Sequence, residues 1–570
     1  MHDLVVTNAR IADGLGNPLR EADLAVDGGR VSEIGHSVGP GRETVDAEAR
    51  VLAPGIIDSH THYDAQLLWD PTASPSPALG VTTVVIGNCG FGIAPAPPAA
   101  RDRLLADLAE VEGMPLVSLK AGVDWGFESF PEYLDCLAAR GVYPNVAALA
   151  SHTAIRTAVM GDESARRAAT AAEVDEMSRL LREAMAAGAV GLGSSTNENH
   201  RGRGGIPIAS RFAGEEEFDA FARVLSEFEH GVFLITTGHH MGIPFMEAFA
   251  EASGKPALYA AHFHYPHEPE RGRRIMHEAE AARRRGHPVY TQGSCQPLAL
   301  GFSLDAAYIM KMIEGWPATS DQSELARIYR DPAFRDRLRK TLSRPDPGRV
   351  FNGGWEWVIV TRTANPALSD LEGSSVQEIA ARRGEEPLDV FFDVALEDEL
   401  ETYFTLYMLN MDEEGVAELI RNDGTLVSLS DAGAHNSLLC DAGFGMHLLG
   451  HWVRETGTFD LPAAVRKVTS DPARLYGMVD RGRLVPGAFA DMVLFDPDTV
   501  GITALERHFD LPAGGERLLR RAPGLHGTWV NGVQVFDGLD YRALAGRPGR
   551  VLRRFAPPAA PGGAVRGQAA

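Results

Sequence analysis

Lysine is scarce in this chain. Only Lys120, Lys255, Lys311, Lys340 and Lys467 occur in 570 residues; arginine supplies the rest of the 54 basic side chains against 77 acidic ones, a formal net charge of −23. That balance speaks against a nucleic-acid or anionic-membrane partner, because both need a basic face. Cysteine is nearly as rare, and Cys89, Cys136, Cys295 and Cys440 are too few and too scattered to frame a disulfide scaffold. No apolar run approaches the length that spans a bilayer. The start, MHDLVVTNARIADG, lacks the basic residues and apolar core of a signal peptide. The expectation is a soluble, cytoplasmic protein with no membrane and no nucleic-acid partner; its oligomeric state is left open. Hydrophobic residues at 44% and aromatics at 8% are ordinary for a packed globular chain.

What is present is most informative at GIIDSHTHYDAQ. Gly55–Asp58 reads as the end of a short apolar strand, and His60 and His62 follow it two residues apart. In extended backbone, side chains two apart share a face, so the pair forms half of a preorganised metal site. Asp58 and Asp64 are placed to orient the imidazoles. Cys89 follows in GVTTVVIGNCGFG, where a thiolate suits a borderline-soft ion such as zinc.

Eight strand-like runs alternate with helical segments: APGIID, GVTTVVIGN, NVAALASH, AVGLGSST, GVFLITTG, ALYAAHFHY, HPVYTQGS and TLVSLSDAG. That alternation predicts an α/β protein built on a (β/α)8 barrel over residues 55–479, with an insertion near 296–354. The two ends, 1–54 and 480–555, are rich in short strands and turns and are expected to join in one small composite β-sandwich domain. The Pro/Ala/Gly-rich tail 556–570 is expected to be disordered. Polar residues gather where the barrel runs end: His60 and His62, Cys89, Ser151-His152, His239-His240, His262 and His264, then Asp431 followed by His435.

These motifs, in this order, resemble the metal-dependent amidohydrolase superfamily and specifically its D-aminoacylase (N-acyl-D-amino-acid deacylase) branch. The resemblance rests on the HxH strand end, GVTTVVIGNCGFGIAP, NVAALASHTAIR, AGAVGLGSST, SDAGAH and TSDPARLYGMVDRGRLVPGAFADMVLFDP. It implies a hydrolase that cleaves an amide C–N bond in a small molecule with one or two zinc ions as cofactor. It implies metal ligands at His60, His62, Cys89 and His262, with His264 sharing the last one's face, and a catalytic aspartate at Asp431. The fifth-strand ligand falls on His239 in preference to His240, the alternative being that this site has lost that ligand. Relatives in the wider superfamily bridge two metals with a fourth-strand lysine, but no lysine lies between Lys120 and Lys255, which makes Cys89 the natural substitute.

Substrate-binding residues do not transfer. The lysine expected after the sixth-strand histidine is missing from AAHFHY, and the seventh strand ends YTQGSCQ. Arg201, Arg203 and Arg211 are candidates to bind an acidic group, and Trp69 and Phe91 to line a pocket. Two other readings stand beside the deacylase: a cyclic-amide hydrolase of the hydantoinase or dihydroorotase type, which normally keeps the absent lysine, and a non-catalytic scaffold on the same barrel.

Overall fold

The computed structural model describes residues 1–238, 241–266, 268–305, 310–317, 319, 321–344, 346 and 351–561, with the side chains of Arg203 and Met312 outside that description. The chain divides into two compact units, one of residues 1–263, 268–296 and 414–570, the other of 264–267 and 297–413.

The first unit holds eight parallel strands: β1 (Ile56–Asp58), β2 (Val81–Ile86), β3 (Asn145–Ser151), β4 (Gly191–Ser195), β5 (Val232–Thr236), β6 (Ala257–His262), β7 (Val289–Gly293) and β8 (Thr425–Val427). They pair in chain order from β1 to β7, and β7 pairs with β8. A parallel bridge between Thr61 and Ala432, just beyond β1 and β8, joins the two ends of the sheet. β2, β3, β4, β5 and β7 are buried along their whole length, as parallel strands covered on both faces must be. Inside lie Ile57, Val85, Leu149, Leu234, Leu258 and Leu426 with others.

Helices separate the strands, and their sequences explain their placement. Ala171–Ala187 starts at a capping box of Thr170 and Glu173 and stops at Gly188, whose φ is +109°. It buries Met177, Leu181, Ala184 and Met185, a helical spacing that lays one apolar stripe on the sheet.

The terminal segments share one eight-stranded sheet. In order across it run Val533–Phe536, Leu525–Val530, Met492–Phe495, Val51–Pro54, His2–Ile11, Arg20–Asp27 and Arg30–Gly35, with Gly41–Asp46 pairing alongside His2–Ile11. Val493 sits opposite Ala53 on one side and Thr528 on the other, so a strand from the end of the chain completes the sheet begun at its start. A buried polar cluster ties this sheet to the barrel: Asn145 of β3 donates to Asp491 at 3.1 Å, Asn531 donates to Asn145 at 2.9 Å, and Arg481 pairs with Asp491. Further on, the Val146 amide donates to Arg550 O and the Leu552 amide to Val146 O, at 2.8 and 2.7 Å, running the chain's last described stretch along the start of β3. Of the tail, residues 556–561 are described and lie along 474–477 through the Ala556 and Ala559 amides; the remainder is outside the described residues.

Apart from residues 264–267, which follow β6, the second unit falls between β7 and β8 in the chain, and it extends well past the expected 296–354 insertion. It has a three-stranded antiparallel sheet of Leu298–Phe302, Tyr403–Leu409 and Val358–Arg362. Its core is its own, with Phe302, Tyr329, Phe391, Phe392 and Phe404 in mutual ring contact. No helix among the described residues is long and apolar enough to cross a membrane.

Candidate metal centre

The segment after β1 is held extended from both sides. The Thr61 amide and hydroxyl donate to Val85 O of β2 at 3.1 and 2.8 Å, and the His62 amide donates to Ala432 O at 2.7 Å. Extended backbone turns His60 and His62 to one side, and their ring centroids lie 5.4 Å apart. Asp58 does not touch either imidazole. It is fully buried and accepts from the His60 amide at 3.2 Å, the Ser428 hydroxyl at 3.2 Å and the Ser430 hydroxyl at 2.5 Å. It therefore fixes the backbone of β1's end against that of Asp431's neighbour; burial raises its carboxyl to about 7. Asp64 likewise works on backbone, accepting from the Gly87 amide at 3.1 Å. The imidazole of His60 is oriented instead by Gln292 of β7, whose Oε1 lies 2.7 Å from Nδ1 while its Nε2 donates to Ser59 Oγ at 2.8 Å. With its proton on Nδ1, His60 offers the Nε2 lone pair to the site.

Cys89 reaches the same place through a tight turn after β2. Its own φ is +54°, and Gly87 and Gly90 on either side are at +80° and +72°. A Cβ on Gly90 would meet Ser194 Cα at 2.9 Å, so the turn passes β4 at a distance only glycine permits. Asn88 Nδ2 donates to Val85 O and Thr61 O, and the Ser151 hydroxyl to Gly90 O at 2.5 Å. The sulfur ends 3.2 Å from His60 Nε2 and accepts a hydrogen bond from the Thr236 hydroxyl at 3.0 Å. One ligand atom each from His60, His62 and Cys89 falls within 4.8 Å of the others, and all three residues are buried.

Asp431 follows β8, its side chain 26% exposed at the mouth, with Oδ1 3.2 Å from His60 Nε2 and 3.6 Å from His62 Nε2. Glu112, at the end of the helix Arg101–Val111, adds a buried carboxylate 3.7 Å from His62 Nε2 and 3.8 Å from His435 Nε2. Burial works against charge on His60, His62, Cys89 and Asp431, yet their mutual fields prevail. Cys89 and then Asp431 hold His60 up at about 9, and Glu112 and then Asp431 hold His62 well above the usual histidine range. His60 and His62 draw the Cys89 thiol down, and a His62 hydrogen bond with the His60 field holds Asp431 far below the usual carboxylate range. The imidazole fields thus favour the thiolate form of Cys89, the Asp431 carboxylate is anionic, and the protons on the two imidazoles sit where a divalent cation would replace them. The donor set, soft sulfur with imidazole nitrogen, fits zinc.

His262 ends β6 outside that close trio. Its Nε2 lies 2.9 Å from Gly272 O, which leaves the buried Nδ1 as the lone-pair nitrogen, without a hydrogen-bond partner. Burial lowers its pKa to about 4, so it is neutral. His264 belongs to the second unit, where its amide donates to Asn410 Oδ1 at 2.7 Å. His239 and His240 lie outside the described residues. His152 does not face the centre; it is buried between Ser194 Oγ at 2.8 Å and Glu217 Oε1 at 2.7 Å. Trp69 packs on Gly122, and Phe91 is buried against His200. Arg201 and Arg211 donate to loop carbonyls of Gly205 and His200. Sequence reasoning missed Gln292, Thr236 and Glu112. The first two stand at strand ends like the ligands, a signal that was there to use; Glu112 caps the end of a helix, away from the strand-end pattern, and gave none.

The profile of the amidohydrolase family matches residues 43–322 and 358–536. D-aminoacylase of Alcaligenes xylosoxydans xylosoxydans is 33% identical over 568 residues, covering 97% of this chain and 98% of the relative. N-acyl-D-glutamate deacylase of the same organism is 31% identical over 561 residues, covering 97% of each. The crystal structure of N-acyl-D-glutamate deacylase from Bordetella bronchiseptica, complexed with zinc and a phosphonate inhibitor that mimics the tetrahedral intermediate, aligns with a TM-score of 0.65 at 28% identity over 97% of this chain and 100% of that one.

Proposed function

The chain belongs to the amidohydrolase family, whose relatives here are hydrolases of carbon–nitrogen bonds other than peptide bonds, and on that premise we propose that it removes the acyl group from an N-acyl-D-amino acid with zinc as cofactor. The observation that carries the reading is the convergence of His60, His62 and Cys89 with the Asp431 carboxylate 3.2 Å from His60. His60, His62 and Cys89 would hold the ion, and His262, whose buried Nδ1 has no hydrogen-bond partner among the described residues, is the further candidate. Zinc bound there supplies Lewis acidity to the amide carbonyl and brings the pKa of water toward ~7.

The chain's own residues do the rest. Gln292 fixes the His60 tautomer and ring plane. Thr236 donates a hydrogen bond to the Cys89 sulfur and tempers the charge that it presents. Asp431 accepts the proton of the water whose oxygen bonds to the amide carbon, then delivers it to the nitrogen as the C–N bond breaks. The products are a carboxylic acid and a free amine. Its strongly acidic character keeps Asp431 ionised and ready to accept at neutral pH.

A panel of N-acetyl-D- and N-acetyl-L-amino acids, including the aspartate and glutamate derivatives, tests the reading in zinc-loaded protein by release of free amine. Turnover of D substrates, lost on chelation and restored by zinc, is the expected result. Turnover of hydantoins or dihydropyrimidines with none of the acylated amino acids would replace it with the cyclic-amide reading.

A further inference from the structure

The mouth carries a second carboxylate that the proposed chemistry does not use. Glu112 caps the helix Arg101–Val111, its amide donating to Leu108 O at 3.1 Å, and its side chain is 4% exposed. The backbone there is locked to the loop that bears Asp431. The His435 amide donates to Glu112 O, and the Ala434 amide donates to Asp431 O at 2.8 Å, so one turn steadies both acidic residues. Gly113 comes next at a φ of +59°, where a Cβ would meet His435 Cα at 3.4 Å. The helix end is pressed against that loop with no side chain between them.

The carboxylate itself accepts no hydrogen bond among the described residues. Its Oε2 lies 3.7 Å from His62 Nε2 and 3.8 Å from His435 Nε2, both beyond hydrogen-bond reach. Elsewhere in this chain a buried imidazole and carboxylate that do bond, His152 and Glu217, close to 2.7 Å. A buried carboxylate is costly unless it is paired closely or binds a metal. The spacing favours the second. Two donor atoms bound to one tetrahedral zinc ion stand about 3.3 Å apart. Asp431 Oδ1 is 3.2 Å from His60 Nε2 and 3.6 Å from His62 Nε2, and Glu112 keeps nearly the same distance from that His62 nitrogen. It is also well inside the 4.8 Å over which the ligand atoms of His60, His62 and Cys89 spread.

We propose that Glu112 is a further metal ligand, its Oε2 joining the ion held by His60, His62 and Cys89 from the His62 side. The inference rests on the metal part of the reading above and on nothing about the substrate. It explains why a carboxylate from a helix end, outside the strand-end pattern, is buried beside His62 without bonding to it. Thiolate and carboxylate together balance the charge of a divalent ion. A hard oxygen beside the soft sulfur also widens the range of ions accepted, toward cobalt and manganese.

The test titrates metal-free full chain with zinc against a chelating dye and with cobalt(II), whose visible spectrum reports coordination number and thiolate bonding. Wild type is compared with Glu112→Gln and Glu112→Asp. Glu112→Gln should weaken zinc binding by more than the roughly 10–100-fold typical of changes behind the ligands. Its cobalt d–d bands should change while the thiolate charge-transfer band stays. Glu112→Asp keeps the charge and draws the oxygen back by one methylene, so it should bind as weakly as Glu112→Gln; it also serves should Glu112→Gln fail to fold. Wild-type affinity and cobalt spectrum in Glu112→Asp would mean that Glu112 acts through its field alone, and the same result in Glu112→Gln would leave it no role; either overturns the assignment. Wild-type protein that binds neither ion would remove the metal centre and this ligand with it. Metal bound through Glu112 without release of amine from any N-acyl amino acid would keep the ligand and remove the deacylase.

Discussion

The two sides of the barrel mouth are built differently. On the side of β1, β2 and β8, His60, His62, Cys89 and Asp431 stand together, and backbone pairing across the Thr61–Ala432 seam puts them there. On the side of β5 and β6, Thr236 offers a hydroxyl to sulfur, and His262 stands apart on the carbonyl of Gly272. At Gly238, two residues past β5, a Cβ would meet Thr196 O at 2.3 Å and Glu198 Oε1 at 2.7 Å, so the chain carries no side chain at that point. The contrast teaches that the near side is preorganised by main-chain hydrogen bonds, while the far side tunes what the near side holds.

Asp431→Asn should show the largest effect. The near side keeps its ligands but loses its base, so kcat should fall roughly 10²–10⁴-fold with zinc still bound, as steady-state kinetics and metal analysis will report. Loss of zinc in proportion to activity would make Asp431 a ligand first.

The comparison itself is sharpened by Cys89→Ala against His262→Gln. Outer-shell changes at metal sites cost roughly 10–100-fold in affinity; Cys89→Ala should exceed that range by competition with a chelating dye, and His262→Gln should cost less than Cys89→Ala. Equal losses would erase the distinction between the two sides.

Acidity gives a third test. His60 holds its proton up to about 9 in the metal-free site, and zinc must displace it. A raised pKa means that the competing proton is present below about 9, so zinc affinity should rise with pH, by roughly tenfold per unit for each proton released. Titration calorimetry in buffers of different ionisation enthalpy counts those protons; none released would contradict the proposed protonated pair.

The smallest effect belongs to the far side. Thr236→Val keeps shape and removes one hydrogen bond to sulfur, about 1 kcal/mol, or roughly fivefold in zinc affinity. A loss as large as that of Cys89→Ala would mean that Thr236 does more than tune.

Much of the near side was legible because its signals are local. The pairing of His60 with His62 needs only a two-residue repeat, Cys89 sits between turn glycines, and Asp431 ends the last apolar run. Gln292 and Thr236 were not read because neutral polar residues carry no mark of a metal site, and their partners are far away in the chain. The extent of the second unit was misjudged because Val376–Arg383 and Pro387–Glu397 bury apolar stripes just as barrel helices do. Which side chain His200 would meet was invisible, since its ring partner Phe91 lies across two loops.

The closing contacts around β3 and the terminal sheet impose an order in time. His2–Ile11 is made first, yet the sheet it belongs to includes Met492–Phe495, and the pairing of Val146 waits for Arg550 and Leu552. As the chain leaves the ribosome, strands whose partners are hundreds of residues away must wait with open edges, which is a state prone to aggregation. The proposed metal ligands at 60, 62 and 89 are synthesised early, but the seam that aligns them includes residue 432. Assembly of the proposed metal site is therefore a late event in the birth of the protein, and a nascent chain halted before that point carries His60, His62 and Cys89 without the seam that aligns them.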